Sequence, residues 1–292
     1  MPGVRTTIRL NGLDVPAFQI QGAQDGPRVS LIAGVHGCEY SSIQAVIETV
    51  RALGADQLRG RLTAVPVVSM DSFTLRSPFV VPADGQNLNR ALPGDAGGSY
   101  TERLAHDIHT TLIEPADAVI DLHGGDLVEA LEPFALYANE RSRGLAYAFG
   151  LPYVVDSTAG TLGGMTANVA AHGVIAEAGG AGQLDPHAVA LLKDGTLNAL
   201  RHLGVLAGDP DPPRSTEIRR FEWLHSTPAG FWAAAAGPGD RVRAGAVLGE
   251  VRNLYGDTLQ TVTAPADGVV LFLTTSAAVA ADGLLLGLGC ER

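Results

Sequence analysis

The stretch VSLIAGVHGCEYSS, residues 29–42, joins an apolar strand to a helix and places two ionisable side chains between them. The strand pattern stops at Gly34, where the lack of a side chain allows a tight turn, and a helical pattern begins at about Ile43. His36 and Glu39 therefore lie at a strand-to-helix crossover. Open α/β sheets bind ligands at the carboxyl ends of their strands, so this position predicts a functional site.

An alternation of apolar strands and helical segments runs through the first two thirds of the chain. The segments with the β-branched character of buried strands are RVSLIAG, RLTAVPVVS, DAVIDLHGG and GVIAEAGG. The segments with helical periodicity are SSIQAVIETVRALG, TERLAHDIHTTLIE and DPHAVALLKDGTLNALRHLG. This alternation predicts an α/β fold, in which helices flank both faces of a sheet.

A proline-rich stretch, DPDPPRST at residues 209–216, divides the chain. Proline cannot continue a helix and favours an extended linker, so we predict a first domain over residues 1–210 and a second over residues 211–292. The second part contains short, glycine-punctuated strand patterns, GDRVRAGAVLGEV and VTAPADGVVLFL. These patterns predict a small all-β module.

Composition and charge exclude several classes of protein. A hydrophobic fraction of 46% with 17% charged residues is that of an ordinary globular protein. The net charge of −11 argues against nucleic acid or an anionic membrane surface as a partner. Two cysteines cannot build a disulfide framework, and no signal peptide or membrane span is recognisable, so we predict a cytoplasmic location.

His36 and Glu39 are the first candidates for a metal site. An imidazole and a carboxylate three positions apart can bind one cation and both suit Zn²⁺; the alternative is a capping carboxylate beside a loop histidine. A catalytic zinc commonly has three protein ligands, and His123 follows another apolar strand in the same way. Because strand ends in one sheet can meet, we predict one Zn²⁺ per chain, held by His36, Glu39 and His123.

Glu177 is the candidate general base. Zinc lowers the pKa of a bound water to about 7, and hydrolysis needs a further group that takes the proton and passes it to the leaving amine. Glu177 follows a strand pattern over residues 174–176, and the glycines that come after it leave space around the side chain. The alternative is a strand-end glutamate that faces solvent. Asp121 and Asp126 are interpreted as supporting or turn residues rather than as bases.

A long loop over residues 69–94 is the candidate substrate-binding segment, because such loops in compact domains usually bind ligands or are disordered. It contains Arg76, Asn89 and Arg90. A guanidinium group can bind a carboxylate through two hydrogen bonds or stabilise an oxyanion, and the two arginines could divide these roles. The alternative is that both are ordinary surface arginines.

Four motifs in this order, GVHGCE, NLNR followed by LPG, DLHGGD and IAEAGG, resemble the succinylglutamate desuccinylase/aspartoacylase family, which is related to the zinc carboxypeptidases. The resemblance covers nearly the whole chain. It implies a zinc-carboxypeptidase-like mixed sheet flanked by helices, and a mononuclear zinc amidohydrolase that removes an acyl group from an N-acyl amino acid.

The resemblance also implies a role for each matching residue. The matches are His36, Glu39 and His123 to the zinc ligands, Glu177 to the general base, Asn89 with Arg90 to the substrate-carboxylate pair, and Arg76 to the arginine that polarises the scissile carbonyl. One departure is Cys38, where the family often has an acidic residue. A small packed residue and an extra ligand are both open for that position.

The C-terminal module resembles a lipoyl- or biotinyl-type barrel-sandwich. Such carriers need a lysine in the hairpin between two strands, but the hairpin here, RNLYGDTL, has none, and Lys193 is the only lysine of the chain. This excludes a swinging-arm carrier and leaves a structural or substrate-capping role. Tyr255 or His225 could then face the site, with packing roles as the alternative.

Together these features predict a cytoplasmic zinc-dependent deacylase whose partner is a small carboxylate-bearing N-acyl substrate. The alternatives are a carboxypeptidase-like metallopeptidase and a non-catalytic protein that binds a metal or metabolite. Nucleic acid and membrane partners are not predicted, and assembly into a homo-oligomer is left open.

Overall fold

The computed structural model describes residues 4–158, 165–211 and 214–290 and contains a large mixed sheet with helices on both faces. The strands are β1 (Val4–Leu10), β2 (Leu13–Gln21), β3 (Gln24–Ala33), β4 (Arg59–Val65), β5 (Ala118–His123), β6 (Glu129–Leu131), β7 (Phe134–Tyr137), β8 (Tyr153–Asp156), β9 (Gly173–Glu177), β10 (Thr216–Ile218), β11 (Arg220–His225), β12 (Gly230–Ala234), β13 (Arg241–Val242), β14 (Val247–Arg252), β15 (Thr258–Thr263), β16 (Gly268–Thr274), β17 (Ala278–Val279) and β18 (Leu284–Cys290). The α-helices are α1 (Tyr40–Ala52), α2 (Met70–Leu75), α3 (Tyr100–Ile108), α4 (Glu140–Phe149), α5 (Thr166–Val169) and α6 (Pro186–His202). The mixed α/β fold predicted from the sequence is confirmed.

The large sheet has nine strands in the order β1-β2-β4-β3-β5-β9-β7-β8-β10. Strands β3, β4, β5 and β9 are parallel, whereas β2 is antiparallel to β4 and β7 is antiparallel to β9. The carboxyl ends of β3, β5 and β9 therefore meet at one edge of the sheet. His36 follows β3 at this edge, and His123 and Glu177 are the last residues of β5 and β9.

Helices cover both faces of the sheet because successive strand residues point in opposite directions. Leu31 and Ile120 pack with α1, α4 and α6 in one buried cluster, whereas Ile32 and Val119 pack with α3 in another. All four strand residues are at most 1% exposed. The central strands β3 and β5 are therefore buried on both faces, which explains their near-continuous apolar sequences.

The C-terminal strands form two smaller antiparallel sheets, ordered β11-β18-β16-β13 and β15-β14-β12-β17. Their apolar side chains share a separate core that includes Trp232, Leu248 and Leu286. The hairpin between β14 and β15 carries Tyr255, which is 94% exposed and does not face the predicted site.

Two strands cross the boundary predicted after residue 210. Strand β10 comes later in the sequence but pairs with β8 in the large sheet. Strand β6 comes earlier but pairs with β16 of the module. The proline-rich linker is followed by one more strand of the large sheet, β10, so a division based on the pairing of that strand would fall after Ile218. Pro212 and Pro213 of the linker lie outside the described residues.

Two local expectations need correction. Helix α1 begins at Tyr40 rather than near Ile43, and Glu39 is its N-cap residue. The segment 69–94, expected to be a loop throughout, contains α2 and a single 3₁₀ turn at Leu88–Arg90. Both elements are short, so they bury too few side chains to produce a recognisable helical period. Within the described part of the chain, no helix is long and apolar enough to cross a membrane.

Candidate metal centre and active-site cleft

Three ionisable side chains meet at the carboxyl edge of the sheet. His36 lies in the turn after β3, Glu39 is the N-cap residue of α1, and His123 is the last residue of the neighbouring parallel strand β5. The turn depends on Gly37, since a Cβ atom there would lie 2.1 Å from the backbone nitrogen of Phe73. One ligand atom from each of the three side chains lies within 4.8 Å of the others.

Both imidazoles direct their Nδ1 atoms at the same carboxylate. The distance from His36 Nδ1 to Glu39 Oε1 is 2.7 Å, and that from His123 Nδ1 to Glu39 Oε2 is 3.1 Å. The three residues are 8%, 3% and 1% exposed for His36, Glu39 and His123, respectively. Glu39 makes no side-chain cap on α1, so its carboxylate is committed to the histidines rather than to the helix.

The opposite ring nitrogens are held by oxygen atoms. His36 Nε2 lies 3.2 Å from Asn87 Oδ1, and His123 Nε2 lies 3.1 Å from Asp121 Oδ2. Metal-binding histidines commonly hold their second nitrogen in this way, which fixes the tautomer and the orientation of the ring. Glu39 Oε2 is buried and lacks a well-aligned hydrogen bond. The donor set therefore fits a metal ion.

The electrostatics of the triad also suit a cation. Burial alone would raise the pKa of Glu39, but the charges of His123 and His36 outweigh it and lower that pKa to about 2. Burial raises the pKa of the adjacent Cys38 thiol to about 11, so this residue stays neutral. Cys38 is not part of the ligand group, which supports its interpretation as a small packed residue.

Glu177 stands beside the triad. It is the last residue of β9 and pairs with His123, the last residue of β5. Both His36 and Glu177 line the same cleft. Burial is the main reason that the pKa of Glu177 rises to about 8, and a pKa near the working pH suits a group that accepts and returns a proton.

Asn89 and Arg90 line the same cleft on the 3₁₀ turn. Asn89 Oδ1 is buried without a hydrogen-bond partner, while Arg90 Nη1 donates to the Asn89 carbonyl oxygen at 2.7 Å. Desolvation lowers the pKa of Arg90, and the charge of Glu177 acts in the opposite direction. The predicted base and the predicted carboxylate-binding arginine therefore line the same cleft, close enough for the charge of one to act on the other.

Arg76 lies elsewhere. It ends α2 in a left-handed conformation with φ 52°, and its side chain is exposed. Its charge acts on Tyr40, and it is not among the side chains that line the cleft. Among the described residues, the geometry thus brings six of the seven predicted site residues together and leaves Arg76 outside.

Three further residues at the site were not predicted as site residues: Phe79 and Glu129 line the cleft, and Asn87 contacts His36. The Phe79 ring stacks on the His36 imidazole with centroids 5.3 Å apart, and Asn87 holds the other edge of that imidazole. Glu129 lines the cleft, and burial raises its pKa to about 7. Sequence signals for two of these residues were weak. Asn87 belongs to the NLNR motif but stands two positions before Asn89, the motif residue predicted to bind substrate, and Glu129 lies outside the DLHGGD motif.

The cleft has a volume of about 610 Å³ and lies between the large sheet and the C-terminal module. The module contributes Phe221, Trp223 and His225 from β11 and Phe272 from β16. His225 was one of two module residues considered for the site, and it does line the cleft. The module therefore forms one wall of the candidate active site.

Comparison with known proteins gives a consistent result. The succinylglutamate desuccinylase/aspartoacylase catalytic domain matches residues 25–203. The N-alpha-acetyl-L-2,4-diaminobutyric acid deacetylase of Halomonas elongata is 32% identical over 248 residues, which cover 79% of this chain and 72% of the relative.

Solved structures share the fold. The succinylglutamate desuccinylase/aspartoacylase from Rhodobacter sphaeroides superposes with a TM-score of 0.85 at 23% identity, covering 100% of this chain and 94% of that one. The product-bound ectoine utilization protein EutE (DoeB) from Ruegeria pomeroyi also gives a TM-score of 0.85, at 24% identity, covering 98% and 94%.

The fold and the site define an α/β protein whose buried His-Glu-His group fits a metal ion at the edge of a substrate-sized cleft. The chain belongs to the succinylglutamate desuccinylase/aspartoacylase family. The Halomonas elongata relative is named as a deacetylase and the matching family as desuccinylases and aspartoacylases, which supports hydrolase activity for this chain.

Proposed function

We propose that the protein is a zinc-dependent amidohydrolase that removes an acyl group from a small N-acyl amino acid. The observation that carries this proposal is the convergence of His36, Glu39 and His123 with Glu177 and Arg90 on one cleft. A metal group alone would suit a binding protein. Hydrolysis of an N-acyl amino acid also requires a group that transfers a proton and a group that binds the substrate carboxylate. The strand-end carboxyl group of Glu177 and the guanidinium of Arg90 can supply these two functions.

Zinc is the proposed metal because two imidazoles and one carboxylate are a ligand set that catalytic zinc commonly uses. One ion per chain would be held by His36, Glu39 and His123, while Asn87 and Asp121 fix the two imidazoles from behind. When bound, zinc supplies a Lewis acid that lowers the pKa of a coordinated water.

The remaining steps belong to the side chains of the cleft. Glu177 accepts a proton at its carboxylate and returns it to the departing amide nitrogen. Asn89 and Arg90 bind the substrate carboxylate, to which the side-chain NH2 group of Asn89 and the planar guanidinium of Arg90 can both donate hydrogen bonds. Arg76 is proposed to polarise the scissile carbonyl, on the resemblance alone, since it would have to move to reach the cleft.

The relatives guide the choice of substrate. The Halomonas elongata relative is named for an N-acetylated diamino acid, and the family for succinylglutamate and acylated aspartate. All of these are N-acyl amino acids with a free carboxylate. We also propose that the fold is related to that of the zinc carboxypeptidases and that the module is a barrel-sandwich. The proposed location is the cytoplasm.

The test is metal analysis combined with a substrate screen. Purified protein is assayed for bound zinc, and the zinc-loaded protein is offered N-acetyl, N-succinyl and N-formyl amino acids, including N-alpha-acetyl-2,4-diaminobutyrate. We expect about one zinc per chain and release of free amino acid from at least one N-acyl substrate. Absence of turnover with every member of the screen would contradict the proposal.

The two alternatives make different predictions in the same screen. A metallopeptidase would cleave unblocked dipeptides in preference to N-acyl amino acids. A non-catalytic binding protein would retain zinc and bind ligands without releasing product. Removing the zinc by chelation should abolish turnover of N-acyl substrates and restoring it should recover turnover, which excludes a contaminating metal-independent hydrolase.

A further inference from the structure

The cleft continues from the metal centre across the face of the large sheet. Glu177 pairs with Phe134 on β7, and Phe134 in turn pairs with Tyr153 on β8. Asp156, at the other end of β8, also lines the cleft. The distance from Tyr153 to Asp156 along the strand is roughly 10 Å, since a strand rises about 3.3 Å per residue. The cleft therefore has a metal end at Glu177 and a distal end at Asp156.

The sheet wall between these two ends is apolar. It is formed by Phe134, Leu136, Val155 and Ile175 of the strands and by Met165, which precedes α5; we call these five residues, together with the module side chains facing them, the distal arm. Register explains why they share a face: Leu136 pairs with both Ile175 and Val155. All five belong to one buried cluster with Val269 and Leu271 of the module, so packing holds the wall in place.

The module supplies an aromatic wall opposite this surface. Trp223 packs against Phe221 with ring centroids 4.5 Å apart and against Phe272 in an edge-on arrangement at 5.3 Å. Phe221 lies 6.3 Å from Phe134 of the sheet, so the rings connect the two parts of the molecule. Rings packed edge to face or tilted against one another form a preorganised apolar surface.

The two arginines on the module side of the arm are already paired. Arg219 binds Glu217 at 2.8 Å, and Arg220 binds Glu222 at 2.9 Å. An acidic acyl group such as succinyl would therefore have to displace an existing ion pair to gain a guanidinium from this wall. The arm therefore offers mainly apolar surface, and the guanidinium groups beside it already have carboxylate partners.

Resting on the proposed deacylase function, we propose that the substrate carries an apolar group larger than acetyl, which occupies the distal arm. A cleft of about 610 Å³ falls in the range of about 300–1,000 Å³ that buries a drug-sized ligand. An acetyl group would leave the aromatic wall in contact with water, whereas a longer apolar group removes both surfaces from water. The group can belong to the acyl chain or to the amino-acid side chain, since both present the same chemistry to the arm.

Two substrate series separate these sources. The full-length, zinc-loaded protein is assayed with N-acetyl-, N-butanoyl-, N-hexanoyl- and N-octanoylalanine, and with the N-acetyl derivatives of aspartate, alanine, leucine and phenylalanine. We expect kcat/KM to rise by about 10-fold or more along one series, because single methylene groups in an apolar pocket already discriminate substrates by about 10-fold. A maximum at N-acetylaspartate, with no rise along either series, would overturn the proposal.

Substitution of Trp223 connects such a preference to the arm. We expect Trp223→Ala to lower kcat/KM by about 10-fold for the preferred apolar substrate and by less than about 2-fold for N-acetylalanine, with Trp223→Leu in between. The matched control is Phe231→Ala, which removes a 47% exposed ring of the same module outside the cleft and should change neither value. Equal losses on both substrates in both Trp223 variants would mean that the ring is only structural, and would refute the assignment.

A binding measurement separates this inference from the deacylase function. If no N-acyl amino acid is hydrolysed, the proposed function fails, and calorimetric titration of the full-length protein then tests the arm alone. We expect N-hexanoylalanine to bind about 10-fold more tightly than N-acetylalanine, and Trp223→Ala to remove the difference. Equal affinities for the two ligands in the wild-type protein would overturn the inference independently of turnover.

Discussion

The two parts of the molecule contribute different chemistry to one cleft. The large sheet provides ionisable groups at strand ends, where His36, Glu39 and His123 hold one another in a buried cluster. The module provides rings such as Trp223, and its cleft-lining charges are paired, as Arg220 is with Glu222. The large sheet therefore positions ionisable groups in the cleft, and the module covers the cleft with apolar rings that exclude water.

This difference has a structural origin. The ionisable groups sit at the ends of adjacent parallel strands, so backbone pairing within one sheet fixes their distances. The module rings reach the cleft because the module is joined to the large sheet, through the pairing of β6 with β16, the pairing of β10 with β8, and the contact of Phe134 with Phe221. Reactivity should therefore depend on the sheet, and substrate choice on the way the module is docked.

The largest effect is expected from loss of a metal ligand. His123→Ala removes one of three donors and leaves Glu39 with a single imidazole, so we expect zinc content to fall from about one per chain to near zero and activity to disappear. Metal analysis after dialysis measures the change. His187→Ala, which alters a histidine outside the ligand group, is the control; full zinc retention by His123→Ala would remove His123 from the site.

The next effect concerns Glu177. Glu177→Gln keeps the shape of the side chain but cannot accept a proton, so we expect turnover to fall by about 10²–10⁴-fold with zinc content unchanged. Glu140→Gln, on the exposed surface of α4, should retain wild-type turnover. Wild-type turnover in Glu177→Gln would mean that another carboxyl group of the cleft is the base. Glu129 would then be the first candidate, because burial also raises the pKa of its carboxyl group.

A smaller effect is expected for Arg90. Lysine keeps the charge but lacks the planar fork that binds a carboxylate, so Arg90→Lys should raise KM by about 10-fold with little change in kcat, equivalent to one charge-assisted hydrogen bond of about 1.5 kcal/mol. Arg220→Lys on the module side keeps its ion pair with Glu222 and should leave KM unchanged. An equal rise in both variants would contradict the division of roles between the two regions.

The metal triad could be predicted from the sequence because its signals are local. His36 and His123 each follow an apolar run and stand next to glycine, and Glu39 is three positions from His36. Once the alternating pattern indicates parallel strands, their ends must share an edge. The same reasoning brings Glu177 to that edge, where it pairs with His123.

The rest of the cleft depends on contacts between distant segments. Phe221 and Trp223 alternate with Arg220 and Glu222 along β11, and this pattern does not reveal which surface the two rings cover. Phe79 reaches His36 because its backbone amide donates to Asp126, which is 47 positions away in sequence. The hairpin of β1 and β2 also went unpredicted, since it forms the sheet edge and has many exposed positions.

Glu217 lies on β10, where the chain passes from the large sheet to the module. It accepts hydrogen bonds from Tyr137, Arg143 and Arg219 at 3.1, 3.0 and 2.8 Å. Burial alone would raise its pKa, but these partners outweigh it and lower the pKa to about 2. Its side chain is only 14% exposed, so the interactions are less screened than those of a surface ion pair.

The smallest expected effect is therefore on stability. A carboxyl group whose pKa is lower in the folded than in the unfolded state stabilises the fold above its unfolded pKa of about 4.5 and loses this contribution as pH falls towards about 2. Glu217→Gln should lower the free energy of unfolding by about 1–3 kcal/mol at pH 7, and the difference from wild type should shrink between about pH 4.5 and pH 2. Denaturant titrations at several pH values measure it. The control is Glu140→Gln. The Glu140 carboxylate is 81% exposed and lies 3.9 Å from the same arginine, Arg143, so this substitution should lower the free energy of unfolding by less than about 0.5 kcal/mol. A difference that stays constant with pH would show that Glu217 stabilises the junction by packing rather than by its charge.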